Sequence, residues 1–144
     1  MPTRERADTV LAFDFGTRRI GVAVGDLATR LAHPLATIER ERDADRFDAI
    51  AALVAEWTPA RFVVGLPVHA DGTPHAMTAR AQRFGRQLAG RFGLPVEYAD
   101  ERHTTHEASS ALAEAGLRGT RVKDVRDRVA AQLILQGWLD DRPR

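Results

Sequence analysis

Apolar positions along the chain fall into short dense runs and longer spaced rows, and the two patterns separate strands from helices. Residues 9–15, TVLAFDF, and 20–25, IGVAVG, are apolar runs rich in valine and isoleucine, divided by Gly-Thr-Arg-Arg, which is hairpin spacing. A third strand is predicted from His33 to Ile38. From Asp43 to Trp57 the residues Phe47, Ile50, Leu53, Val54 and Trp57 recur at helical intervals, with Asp43 and Asp45 as candidate caps and Pro59 as the stop. Arg61 to Gly65, RFVVG, is almost wholly apolar, as a strand buried on both faces should be, and Leu66-Pro67 closes it. The segment VHADGTP then leads into a helix from Ala76 to Phe92, broken by Gly93. Leu94 to Ala99 reads as a further strand, with Asp100 and Glu101 directly after it. Two more helices are predicted, Thr105 to Ala115, stopped at Gly116, and Val122 to Asp140.

Three strands compatible with antiparallel pairing, followed by alternating helix and strand, predict a mixed sheet with helices on its faces. A chain of 144 residues is the usual size of one domain, placed here at 9–140, with flexible ends at 1–8 and 141–144. No stretch approaches the roughly 20 apolar residues of a membrane span, so the protein is expected in the cytoplasm, away from membranes. The absence of cysteine excludes disulfides and thiolate metal sites, so a metal would be held by carboxylate, imidazole, carbonyl or water. With 21 basic and 20 acidic residues the net charge is +1, and attraction to nucleic acid would need a local patch. Lys123 is the sole lysine; the abundant arginine suits bidentate phosphate contacts, although coding bias accounts for most of it.

Asp14 is the odd residue in LAFDFG, and a carboxylate in an apolar strand is costly unless its charge is compensated by a metal or by N–H donors of the following Gly-Thr turn. Asp100 and Glu101 stand at a strand end, where crevices of open α/β sheets form. If the alternation continues, Glu101 shares a face with Ala99 and Glu97 while Asp100 follows Tyr98, unless the chain bends. Asp127 heads the otherwise inward-facing row Asp127, Ala131, Ile134, Trp138; the competing account is a first-turn acid of a helix starting near Asp124. Convergence of these acids would make an oxygen-only site for Mg2+ or Mn2+ and fit phosphodiester hydrolysis, with Thr17, Arg102 and Lys123 as candidate phosphate contacts. His33, His69, His75, His103 and His106 lack zinc-ligand spacing. Arg80, Arg83 and Arg86, at intervals of three, form a basic stripe that either tracks a nucleic-acid backbone or is simply solvated.

The segments VLAFDFGTRRIGVAVGD, VVGLPVHADGT, TARAQRF, DERHTTHEA and DRVAAQLILQGWLD closely resemble the YqgF family, also described as Holliday junction resolvases or pre-ribosomal-RNA nucleases. The resemblance spans residues 9 to 140. It implies a ribonuclease H-like fold, an α/β arrangement with a five-stranded mixed sheet flanked by helices. It also implies a divalent-metal nuclease maturing the 5′ end of the small-subunit ribosomal RNA precursor, the 16S precursor, in bacterial cytoplasm. Asp14 falls on the family's first-strand aspartate, Glu101 on the acid before Arg102, and Asp127 on the aspartate before the small-residue helix, so these are the expected catalytic and metal-ligating residues. Gly16, Thr17, Gly21, Gly65, Leu66, Pro67, Gly72, Arg102, Thr105 and Glu107 match family positions too. His103, His69 and Arg128 depart from it, and Arg128 is placed either to pair with Asp127 or to contact substrate phosphate.

The nucleic-acid partner expected on this basis is an rRNA precursor, with branched DNA as the alternative, cut by a monomer or a homodimer. Two other readings compete. An actin-like or sugar-kinase ATPase also begins with a strand, Asp-x-Gly-Thr and a hairpin, but needs two domains around its nucleotide. A non-catalytic RNA-binding module for ribosome assembly would keep the fold without cutting.

Overall fold

The computed structural model describes residues 8–67, 76–100 and 120–142. Strands β1 (Thr9–Phe15), β2 (Arg19–Asp26), β3 (Leu31–Glu39), β4 (Arg61–Leu66) and β5 (Val96–Asp100) form one sheet, with helices α1 (Asp43–Trp57), α2 (Thr78–Phe92) and α3 (Thr120–Asp141). The strand order is β3-β2-β1-β4-β5. β1 pairs antiparallel with β2, and β2 with β3, whereas β4 lies parallel to β1 and β5 parallel to β4. The mixed sheet is therefore the one that the order of elements predicts. The expected helix from Thr105 to Ala115 lies outside the described residues.

Central strands are buried on both faces, which is why their sequences read as continuous apolar runs: Val10, Leu11, Ala12 and Phe13 are each at 0% exposure. Side chains alternate between two cores. Leu11, Phe13, Ile20, Val22, Phe62 and Val64 pack with Phe47 and Ile50 of α1 and Phe84 and Leu88 of α2. Val10, Ala12, Ala23 and Val63 pack on the other face against Ala131, Ile134, Leu135 and Leu139 of α3. The row predicted from Asp127 to Trp138 does face the sheet, Ala131 at 0% and Ile134 at 2% exposure.

Helix ends follow local chemistry. Thr58 takes a left-handed conformation (φ 43°) and its N–H closes α1 on the Val54 carbonyl, one residue before Pro59. Gly93 (φ 67°) does the same for α2 on Ala89. At the start of α1 the expectation is corrected: Arg42 is the capping residue, without a side-chain cap bond, and Asp43 and Asp45 lie inside the first turn, where their charge complements the helix dipole.

Three side chains fix α3 on the sheet. The Ala32 N–H donates to Gln136 Oε1 (3.0 Å), and Gln136 Nε2 donates to the Arg30 carbonyl (2.8 Å). Gln132 Nε2 donates to the Ala32 carbonyl (3.1 Å). Arg30 in turn donates to the carbonyls of Leu139 and Arg142, both at 2.9 Å, satisfying the exposed end of the helix.

Candidate active site

Asp14 ends the row Val10, Ala12, Asp14 on the face of β1 that α3 covers, and it is partly buried. Its cross-strand partner is Gly21 of β2. Directly opposed antiparallel residues carry their side-chain positions on the same face, about 5 Å apart. Above Gly21 runs α3: a Cβ on that glycine would sit 1.9 Å from the Asp127 carbonyl oxygen and 2.4 Å from its carbon. Only glycine permits this approach, and it brings the Asp127 backbone onto the residue beside Asp14. The two acids named from sequence thus come from elements far apart in the chain to one end of one sheet face.

The surroundings of Asp14 on that face are small. Beyond Gly21 on one side lies Gly65 on the other, the next position on β4 after Val64, whose register partner is Phe13. Gly65 is in turn paired with Ala99 of β5.

Asp127 is 17% exposed and its Oδ2 accepts from Arg19 Nε at 2.6 Å, Arg19 being 24% exposed. Arg19 precedes Gly21 by two positions on β2 and so shares its face. Sequence reading did not single out Arg19; the signal available was its place in the Gly-Thr-Arg-Arg turn with the parity of Gly21. A first-turn role for Asp127 is set aside, because α3 begins at Thr120 and Asp127 lies two turns further on.

The end of β5 separates its two acids. Tyr98 lies over Gly85 of α2, its Oη donating to the Gln82 carbonyl (3.2 Å), while Ala99 joins the α3-side core. Asp100, the last residue of the strand, keeps the parity of Tyr98 and so belongs to the face away from Asp14. Glu101 and Arg102 lie outside the described residues, as does the side chain of Lys123. Thr17 is exposed in the β1–β2 turn. His33 is exposed on β3, and the other four histidines lie outside the described set.

The turn itself is held from behind. Arg46 of α1 is 4% exposed, donates from Nε to the Arg40 carbonyl (2.8 Å) and from its terminal nitrogen to the Gly16 carbonyl, and lies 5.3 Å over the Phe15 ring. Burial lowers its pKa, and the negative charge of Asp43 opposes that shift.

As donors, Asp14 and Asp127 are hard oxygen ligands without sulfur or nitrogen, which suits Mg2+ or Mn2+ rather than a softer metal. Among the described residues no group of three potential metal ligands occurs.

A family model described as RuvX, Holliday junction resolvase, matches residues 8–141. The chain belongs to the RuvX family. Relatives include a protein of Dechloromonas aromatica (strain RCB), 58% identical over 92% of this chain and 90% of that one. Another, from Neisseria gonorrhoeae (strain ATCC 700825 / FA 1090), is 56% identical over 94% of this chain and 89% of its own. Both carry the name "Putative pre-16S rRNA nuclease". Among solved structures, T. thermophilus RuvC in complex with a Holliday junction substrate aligns with a TM-score of 0.53 at 15% identity, covering 92% of this chain and 93% of that one. Fowlpox virus resolvase with Holliday junction DNA gives 0.54 at 10% identity, covering 91% and 98%. The fold is accordingly ribonuclease H-like, as the resemblance in sequence implies. This RuvX-family chain is a nuclease, a hydrolase acting on phosphodiester bonds, and that assignment displaces the ATPase reading.

Proposed function

We propose that this RuvX-family nuclease cuts precursor 16S rRNA at its 5′ end in the bacterial cytoplasm, with Asp14, Glu101 and Asp127 as the catalytic carboxylates and the ligands of Mg2+ or Mn2+. What supports the reading is that the Asp127 backbone lies against Gly21, the cross-strand partner of Asp14. Asp100 keeps the parity of Tyr98, on the face away from Asp14, and this favours its sequence neighbour Glu101 as the third acid. A divalent ion held there supplies polarisation of the scissile phosphate and activation of the attacking water.

The chain's own residues do the rest. Asp14, at the end of an apolar row and partly buried, presents its charge where water screens it less than at an open surface. Arg19 holds one oxygen of Asp127 and so orients that carboxylate. Thr17, Arg102 and Lys123 are assigned to the substrate phosphates, Thr17 from the exposed turn directly after Asp14.

The test is cleavage of end-labelled precursor rRNA and of a four-way DNA junction, in Mg2+, Mn2+ or EDTA, by wild type and Asp14→Asn. Removing an outer partner of a metal ligand costs roughly 10–100-fold, so loss of the ligand's charge should exceed that. The expected result is metal-dependent cutting of the precursor that collapses in the variant. Preferential cutting of the junction would move the substrate to branched DNA. Equal traces from both proteins would remove Asp14 from the mechanism and favour an RNA-binding module.

A further inference from the structure

On the other side of β1 from Asp14, the structure has a cavity of about 340 Å³ that the nuclease reading touches only at Thr17. One wall is Arg80 and Arg83 of α2, and the opposite wall is Glu41 and Asp43 at the entrance to α1. Phe15 and Thr17, from the end of β1 and its turn, form the floor and rim on the strand side. All four wall residues are exposed, so their charged ends reach solvent.

The two walls do not close on each other. Among the described residues neither Arg80 nor Arg83 is in an ion pair, and Asp43 acts electrostatically on Arg46. Arg46 also borders the cavity, but its guanidinium is committed to the Gly16 and Arg40 carbonyls and the Phe15 ring, so it braces the floor. What remains is a polarised slot: a cationic side that favours phosphate, an acidic side that accepts hydrogen bonds from amino or hydroxyl groups, and a half-buried aromatic ring between them. A nucleotide carries a matching group for each: a phosphate, hydroxyl or amino donors, and an aromatic base. The volume is at the low end of the roughly 300–1,000 Å³ of small-ligand sites, which suits one nucleotide and not several.

Position supplies the link to the reaction. Phe15 follows Asp14, and successive strand residues point to opposite faces, so the slot and the acids share one end of β1 with the Gly16–Arg18 turn between them. A strand bound with a phosphate at Asp14 passes that turn.

We propose that the cavity receives one nucleotide of the substrate strand flanking the scissile phosphate. Its phosphate lies on Arg80 and Arg83, its base beside the edge of Phe15 left between Arg46 and Phe84, and its amino or 2′-hydroxyl hydrogens toward Glu41 and Asp43. The inference rests on the nuclease reading for the identity of the strand, and its test does not need cleavage.

The measurement is fluorescence anisotropy of a labelled single-stranded RNA oligonucleotide with full-length protein in EDTA, over a salt series. Arg80→Ala with Arg83→Ala should weaken binding about tenfold or more, since hydrogen bonds to charged groups are among the stronger ones. The slope of log affinity against log salt should shrink by about 1.4, the value for two lost contacts to a single strand. Arg86→Ala, on the same helix but not lining the cavity, should stay within about twofold of wild type, a loss small beside that of two phosphate contacts. Glu41→Gln with Asp43→Asn is the sharper arm. Removing two negative charges raises affinity for RNA if that wall only repels, so a fall in affinity supports the slot and a rise overturns it. An Arg86→Ala loss equal to that of the double variant would reduce the effect to a general basic stripe and also overturn it. Adenosine monophosphate competing as tightly as the oligonucleotide would assign the cavity to a free nucleotide, against the proposal. Circular dichroism confirms that these surface variants are folded. Because binding is read without metal, failure of the slot is distinguishable from failure of the cleavage reaction.

Discussion

Gly21 sets how closely α3 can approach the sheet. An added methyl group would meet the Asp127 carbonyl at 1.9 Å, and the obstacle is backbone, which cannot rotate away. Gly21→Ala should therefore cost about 3 kcal/mol, the upper end for overpacking, and lift α3 from β2. Urea denaturation reads the loss, and faster exchange of the α3 amides reads the displacement; an unchanged midpoint would mean that the contact is looser than described. At this scale the sequence was informative about single residues and silent about their pairing. Asp14 and Asp127 were legible because each is an acid in an apolar context. The partner of Asp127 was not, since Arg19 lies 108 positions away and nothing in a linear pattern connects them. By adjacency the sequence offers Arg128 either to pair with Asp127 or to contact substrate phosphate; the guanidinium on Asp127 Oδ2 is that of Arg19.

Elements were legible in proportion to their burial. β1, β2 and β4 are covered on both faces and announce themselves as apolar runs. β3 was expected only from His33 to Ile38 but extends from Leu31 to Glu39, because it lies at the sheet edge with Leu31, His33 and Pro34 exposed, and so carries little apolar signal. Its security comes from α3, which no propensity reveals: Gln132 and Gln136 engage both backbone groups of Ala32. Gln136→Leu removes the bonds to the Ala32 N–H and the Arg30 carbonyl. At about 1 kcal/mol for each net hydrogen bond, a loss of about 2 kcal/mol is expected. Hydrogen exchange at the Ala32 amide should accelerate well beyond that at Val24, within the β2 ladder. Equal acceleration at both would show that the glutamine supports the whole sheet and not the edge strand.

At the scale of the whole molecule, a net charge of +1 gives little long-range attraction to a polyanion, so recognition has to be local, as the proposed acid site and arginine-walled slot are. The family resemblance reached the fold and the reaction class, whereas the slot needed three dimensions, since its walls come from α1 and α2 and its floor from β1. β1 bears on both sites through two adjacent residues facing opposite ways, Asp14 toward α3 and Phe15 toward the slot. This makes the strand intolerant of changes in length in a way that it is not intolerant of changes in composition. Conservative replacements along residues 9–13 cost packing and leave both faces assigned. A deletion of one residue there, like a slipped tooth in a zip, would trade the aspartate for the phenylalanine on each face at the strand's end, so the first strand tolerates replacement of its side chains far better than a change in their number.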